Sequence, residues 1–239
     1  MKIKEVLDTL GEVFVPRVCK VCGRTLGEKE GRLLCLGCYL ELPRTGMHTV
    51  EPSLSRGGNA VQERLADGPP LALAGAWFYY SRNSAYASLI RKLKYNDRPR
   101  WGIEMGELYG QELLADIPDL ASRIDVLLPV GMHWRKEWRR GYNQSALLAE
   151  GIGSVAGVPV GDNLVAVRGH ATQTRRSADE RRRNVSGLFE VVHPEEVRGL
   201  HGGRGSEGRA RCRCVVGEPF RCGAHGFVAA VLAGAKIFC

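Results

Sequence analysis

The chain has 239 residues, 44% hydrophobic and 25% charged, which is the balance of a globular protein with one domain of ordinary size and a small appendage. Its 34 basic against 26 acidic residues give a net charge of +8, which favours phosphate-bearing partners such as nucleotides, sugar phosphates or nucleic acid. No run reaches the roughly 18–20 apolar residues of a membrane helix, and the N-terminus lacks the apolar stretch of a secretory signal, so a cytoplasmic location is expected, where the eight cysteines act as metal ligands or free thiols.

In chain order, Ile3, Val6, Leu7, Leu10 and Val13 mark one face of a helix over residues 1–16, stopped by Pro16. Four cysteines and several glycines occupy 17–44. Residues 45–70 show little periodicity and read as a linker ending at Pro69-Pro70. A strand is expected over 71–80. A helix over 84–95 has Tyr86, Leu89, Ile90 and Leu93 on one face and Ser84 as its cap. A second helix is expected over 101–115, with Ile103, Met105, Leu108, Leu113 and Leu114. The apolar run at 125–130 suits a strand buried on both faces of a parallel sheet. A helix over 144–155, short extended pieces at 158–160 and 164–168, a polar charged stretch at 169–187 and a strand at 188–192 complete the pattern. Alternating strands and helices through 71–192 predict a parallel α/β sheet.

Cys19 and Cys22 form one C-x-x-C pair, and Cys35 and Cys38 form another, twelve residues further on. Two thiolates two residues apart can share one ion, and Gly23 and Gly37 ease the turns. Two such knuckles complete the S₄ shell of a closed, structural Zn²⁺ site. A segment this short buries little core, so the metal supplies its folding energy.

Three segments concentrate basic groups: 89–95, 134–144 and 172–184. The second follows the apolar strand 125–130, beyond whose carboxyl end an open α/β sheet binds ligands. There Asn143 and Gln144 open a helix whose N–H groups suit a phosphate, beside the fork of Arg140. A solvated basic loop with an ordinary cap has the same pattern. Segment 172–184 suits either a charged surface helix or a flap closing over an anion.

Taken together, these motifs resemble the ComF family. The matches are Cys19-x-x-Cys22 with Cys35-x-x-Cys38-Tyr39, Leu-Ile-Arg-Lys-Leu-Lys-Tyr at 89–95 and Leu128-Pro129-Val130. They continue with Arg140-Gly141-Tyr142-Asn143-Gln144, then Thr172-x-Thr174-Arg175 followed by Arg182-x-Asn184-x-x-Gly187-x-Phe189. The resemblance implies a type I phosphoribosyltransferase fold preceded by a zinc ribbon. It implies phosphoribosyl pyrophosphate, usually with Mg²⁺, as the ligand, with Arg140, Asn143 and Gln144 holding the pyrophosphate. Lys94 and Arg175 are further candidate anion contacts, and 172–184 is the flexible hood. It also links the chain to DNA uptake and natural transformation. A rival reading is a non-enzymatic accessory that binds single-stranded DNA or a competence helicase.

The chain departs from the family pattern where the ribose-phosphate loop is expected. No Asp follows Asp179 and no Thr follows Thr174, so the element of two acids followed by a Thr-rich loop, which anchors ribose and its phosphate, is absent. From about residue 201 Gly, Arg, Ala and Cys dominate, as in a GC-rich gene read out of frame. A diverged C-terminus is the alternative. The expected plan is therefore a ribbon unit at 1–44, a linker at 45–70, an incomplete transferase-like domain at 71–200 without full catalytic equipment, and an irregular, aberrant tail at 201–239.

Overall fold

The structure is a computed structural model that describes residues 17–28, 30–49, 73–81, 83–95, 99–162, 164–166, 189–192, 212–217, 221–222 and 225–234. The helix expected over 1–16, most of the linker and the segment 172–184 with Arg175 lie outside the described residues.

The ribbon segment contributes α1 (Leu36–Leu40) and a 3₁₀ turn at Met47–Thr49. The main body begins with β1 (Leu73–Tyr80), α2 (Ala87–Tyr95), α3 (Arg100–Asp116) and the single turn α4 (Leu120–Arg123). Next come β2 (Ile124–Pro129), α5 (Trp134–Arg140), α6 (Gln144–Ala156), β3 (Leu164–Ala166) and β4 (Phe189–Val191). The last elements are β5 (Cys212–Gly217), β6 (Arg221–Cys222) and β7 (His225–Gly234).

The main sheet has the order β1-β7-β5-β2, with β6 paired to β7. β2 pairs β5 in parallel, while β7 runs antiparallel to both β1 and β5. The other edge of β2 also has a parallel neighbour: Leu127 donates to the Pro159 carbonyl at 2.8 Å and accepts from Gly161 N–H at 2.9 Å. β2 is therefore flanked in parallel on both sides, as its unbroken apolar run suggests, although the sheet as a whole is mixed. Ile124, Leu127 and Leu128 are all buried, each such side chain contributing about 1.5–3 kcal/mol. The stretch read as an irregular tail supplies β5, β6 and β7, whose apolar runs, such as 227–232, pair as strands.

β3 and β4 form a separate antiparallel pair, with Leu164 opposite Val191 and Ala166 opposite Phe189.

α3 and α6 cross at backbone contact. A Cβ on Gly151 would lie 2.0 Å from the Ile103 carbonyl oxygen, and one on Gly106 would lie 2.3 Å from that of Leu148. Of the apolar side chains expected to bury α3, Ile103 and Leu108 are only partly covered. Leu114 is likewise partly covered, while Met105 and Leu113 are buried as expected, in a stripe with Gly102, Gly106, Tyr109 and Gly110. Small residues at helical spacing form that face because the two axes approach too closely for side chains. Ser84 does not cap α2: its hydroxyl donates to the Ser81 carbonyl at 3.0 Å and the helix starts at Ala87.

Residues 43–49, at the end of the ribbon and the start of the expected linker, dock on β1. Thr45 N–H donates to the Trp77 carbonyl at 3.1 Å, and Tyr79 N–H donates to that of Pro43 at 2.8 Å. Buried His48 sits over Gly75, where any Cβ would come within 2.8 Å of its own, and pairs through Nε2 with Asp116 Oδ2 at 2.6 Å.

Candidate metal centre and anion site

The first cysteine pair sits on a tight turn. Gly23 takes a φ of +78°, a conformation that costs little without a Cβ, and returns its N–H to the Cys19 carbonyl at 2.9 Å. Cys19 N–H donates to the Arg24 carbonyl at 2.8 Å, and Val18 bridges Thr25 antiparallel. The second pair is built differently. Cys35 is the extended residue before α1 and Cys38 lies within that helix, so Gly37 is helical and makes no turn of its own. Glu30 ties the two halves together. It forms an ion pair with Arg24, and its carboxylate accepts N–H groups from Gly27 at 2.9 Å and Leu36 at 3.3 Å. Those N–H donors are the main reason its pKa lies below the usual carboxylate value.

The four sulfurs lie within 4.8 Å of one another, and Cys22 Sγ is 3.8 Å from Cys35 Sγ. A tetrahedron with Zn–S bonds of about 2.3 Å has edges of about 3.8 Å, so the cluster could close on a zinc ion with little movement. Cys19, Cys35 and Cys38 are buried and Cys22 is exposed. Burial alone raises the Cys19 thiol pKa, but N–H groups of Cys22, Cys35 and Val21 outweigh it and bring it down to about 6. Cys38 goes the other way: burial, reinforced by hydrogen bonding and charge from its sulfur neighbours, pushes its pKa well above 9.0. A divalent cation makes four thiolates tolerable together, and the N–H groups around Cys19 already favour one.

The ribbon is fastened to the body through polar contacts. The Lys20 carbonyl accepts from Ser88 Oγ at 2.7 Å and Lys92 Nζ at 3.0 Å, while Tyr86 donates to the Cys38 carbonyl at 2.9 Å. Arg44 forms a two-pronged bond to Glu112 at 2.8 and 3.0 Å, and Trp77 Nε1 donates to the same carboxylate at 3.0 Å. These contacts place the ribbon against α2, α3 and β1, away from the turn between α5 and α6.

The second site forms where β2 ends. His133 caps α5, a helix that the apolar periodicity does not predict, and Gly141 closes it at φ +78°. Asn143 then caps α6: its Oδ1 accepts Ser145 N–H at 3.0 Å while its Nδ2 donates to the Val130 carbonyl at 3.1 Å. Both ends of the amide are thus engaged in joining the strand end to the helix start. Tyr142 reaches back to the Leu93 carbonyl at 2.9 Å, bringing the end of α2 to the same corner. Lys94 lies there in the backbone, although its side chain, like Arg175, is outside the described residues.

Arg140 donates to Gln144 Oε1 at 3.0 Å. That donor fixes the amide's orientation, which turns Nε2 toward a position where no acceptor reaches it among the described residues. Gln144 is fully buried, and an orphaned amide N–H costs about 1–3 kcal/mol. The sequence-predicted trio Arg140, Asn143 and Gln144 is therefore assembled at one strand end. The missed feature is the division of labour: Asn143 is a tether, and Gln144 carries the unmet donor. The signal available in advance was the Asn-Gln order itself, since an Asn before a helix is a cap.

No helix among the described residues is long and apolar enough to cross a membrane. No family model matches the chain, and no solved structure does. Among curated proteins, DNA utilization protein YhgH of Salmonella typhimurium is 29% identical over 190 residues, covering 77% of this chain and 74% of that protein. Its counterpart in Escherichia coli O157:H7 is 28% identical over 195 residues with the same coverage. Competence protein F of Haemophilus influenzae is 34% identical over 69 residues, 28% of this chain and 30% of that protein. These likenesses, at modest identity, support a relationship to the group of proteins named for DNA utilization and competence.

Proposed function

We propose that this chain is a phosphoribosyltransferase-like protein of DNA utilization. On this reading it binds phosphoribosyl pyrophosphate, or a close analogue, at the corner between β2 and α6. The observation that carries the reading is the buried Gln144 Nε2 without an acceptor, beside Arg140 and at the start of a thirteen-residue helix. An anionic oxygen would relieve the orphaned donor, and the guanidinium and the positive end of α6 would hold its charge. The corner lies at the carboxyl end of a strand with parallel neighbours, where open sheets take their ligands.

Arg140 and Gln144 offer donors and no carboxylate, so Mg²⁺ would enter on the pyrophosphate and lower its charge. Turnover is a separate matter. Without an acid pair that leads into a Thr-rich loop, the ribose phosphate lacks its expected anchor, so the ligand binds and transfer is impaired. Relatives named for DNA utilization and competence support placing the proposed binding in the handling of DNA.

Calorimetric titration of the zinc-loaded chain with phosphoribosyl pyrophosphate and Mg²⁺ tests the reading. Saturable binding, weakened at least about tenfold in Arg140→Ala, is expected for loss of a charge-assisted bond. Absence of both heat and any ligand-dependent rise in Tm overturns it.

A further inference from the structure

We infer that α5 presents an aromatic and basic face on which the unstacked bases of a single-stranded nucleic acid lie. Trp134 is 65% exposed and Trp138 is 85% exposed. They are four residues apart, one helical turn, so both rings project from one side. A tryptophan that folding leaves in water forgoes a large apolar burial, and two on one seven-residue helix make a patch rather than a scatter. At about 100° per residue, Arg135 and Arg139 fall along one flank of the pair and Glu137 along the other. Arg135 and Arg139 are exposed.

The two rings are held differently. Trp134 is braced, with the His133 ring stacked at 5.8 Å and 28° and the Arg135 guanidinium 5.1 Å from its centroid. No such ring or cation contact reaches Trp138 among the described residues. Trp138 is therefore the open platform and Trp134 the rigid one beside it.

Charge decides the occupant. An apolar protein surface would fit the rings and leave the arginine flank unanswered. A nucleic acid answers both, since each base offers a π face and each phosphate a charge for the flanking arginines. In a duplex the base faces are already stacked, so the partner is single-stranded. The face is separate from the anion corner: it uses the outer side of α5, whereas Arg140 turns toward Gln144.

The test uses the zinc-loaded full chain and labelled oligodeoxythymidine, oligouridine and a DNA duplex, followed by fluorescence anisotropy. Binding to a single strand is expected, with the duplex at least about tenfold weaker. Trp138→Ala should weaken single-strand binding about tenfold and Trp134→Ala less, with unchanged Tm because both rings are in solvent. Arg135→Gln and Arg139→Gln should each reduce the salt slope by about one. Equal affinity of the double tryptophan variant and the parent overturns the inference, as does duplex binding as tight as single-strand binding or no binding at all. Phosphoribosyl pyrophosphate affinity should be unchanged in the double variant, so failure of the anion site and failure of this face give different results.

Discussion

The ribbon and the β2–α6 corner are both built from a few polar residues at fixed spacing, yet they reach satisfaction in opposite ways. In the ribbon the polar groups answer one another: four sulfurs converge, and Glu30 closes the loop between the halves. In the corner, Asn143 is spent on tethering while Gln144 keeps a buried donor without an acceptor. A closed shell stabilises the fold, and an open donor is a cost that a ligand can relieve. Structural and binding roles are thus distinguishable by what each site leaves unmet.

The contrast can be broken most forcefully at the metal. Cys35→Ser, or exhaustive chelation, should remove the ion and with it about 10 kcal/mol of the ribbon's folding energy, seen as protease sensitivity within 17–44. The body should keep most of its helical circular dichroism, because the α3–α6 crossing lies outside the ribbon, although one buried cluster joins Cys19, Cys35 and Cys38 to Trp77, Phe78 and Leu89.

The helix crossing that supports the corner comes next. Gly151→Val inserts carbon where the Ile103 oxygen already sits, and should cost about 3 kcal/mol in urea unfolding. The joint between ribbon and body is weaker. Glu112→Ala leaves Arg44 and Trp77 Nε1 without their acceptor; Arg44 is one-third exposed, so the expected loss is about 2 kcal/mol by the same measurement.

Proton competition gives the smallest and most graded effect. Cys38 holds its proton at neutral pH, whereas Cys19, with a pKa of about 6, has largely lost its own. Zinc must displace the Cys38 proton, so apparent affinity should fall about tenfold per pH unit for each proton released. The decline should steepen below about pH 6, where Cys19 also takes a proton and its thiolate stabilisation is lost. Chelator competition across about pH 8 to 5 measures the slope and its steepening.

The ribbon's cysteine cluster was legible in the sequence because two C-x-x-C pairs at this spacing suit tetrahedral coordination. β2 and α6 were legible because an apolar run and an Asn cap are local signals. The α3–α6 crossing was not, because glycines at 102, 106, 110 and 151 carry no hydrophobic signal; they matter only once another backbone arrives. Helix α5 was overlooked because its exposed tryptophans and arginines have no apolar face turned to the core. The antiparallel insertion of β7 between β1 and β5 depends on a partner far along the chain, which periodicity cannot supply.

The most direct measurement is the effect of Gln144→Leu on ligand affinity and Tm together. Leucine fills the same space, removes the orphaned donor and leaves Asn143 to cap the helix. If the corner is a binding site, phosphoribosyl pyrophosphate affinity falls at least about tenfold while Tm holds or rises. Unchanged affinity with a lowered Tm would contradict it, and would make Gln144 a core residue that only positions Arg140.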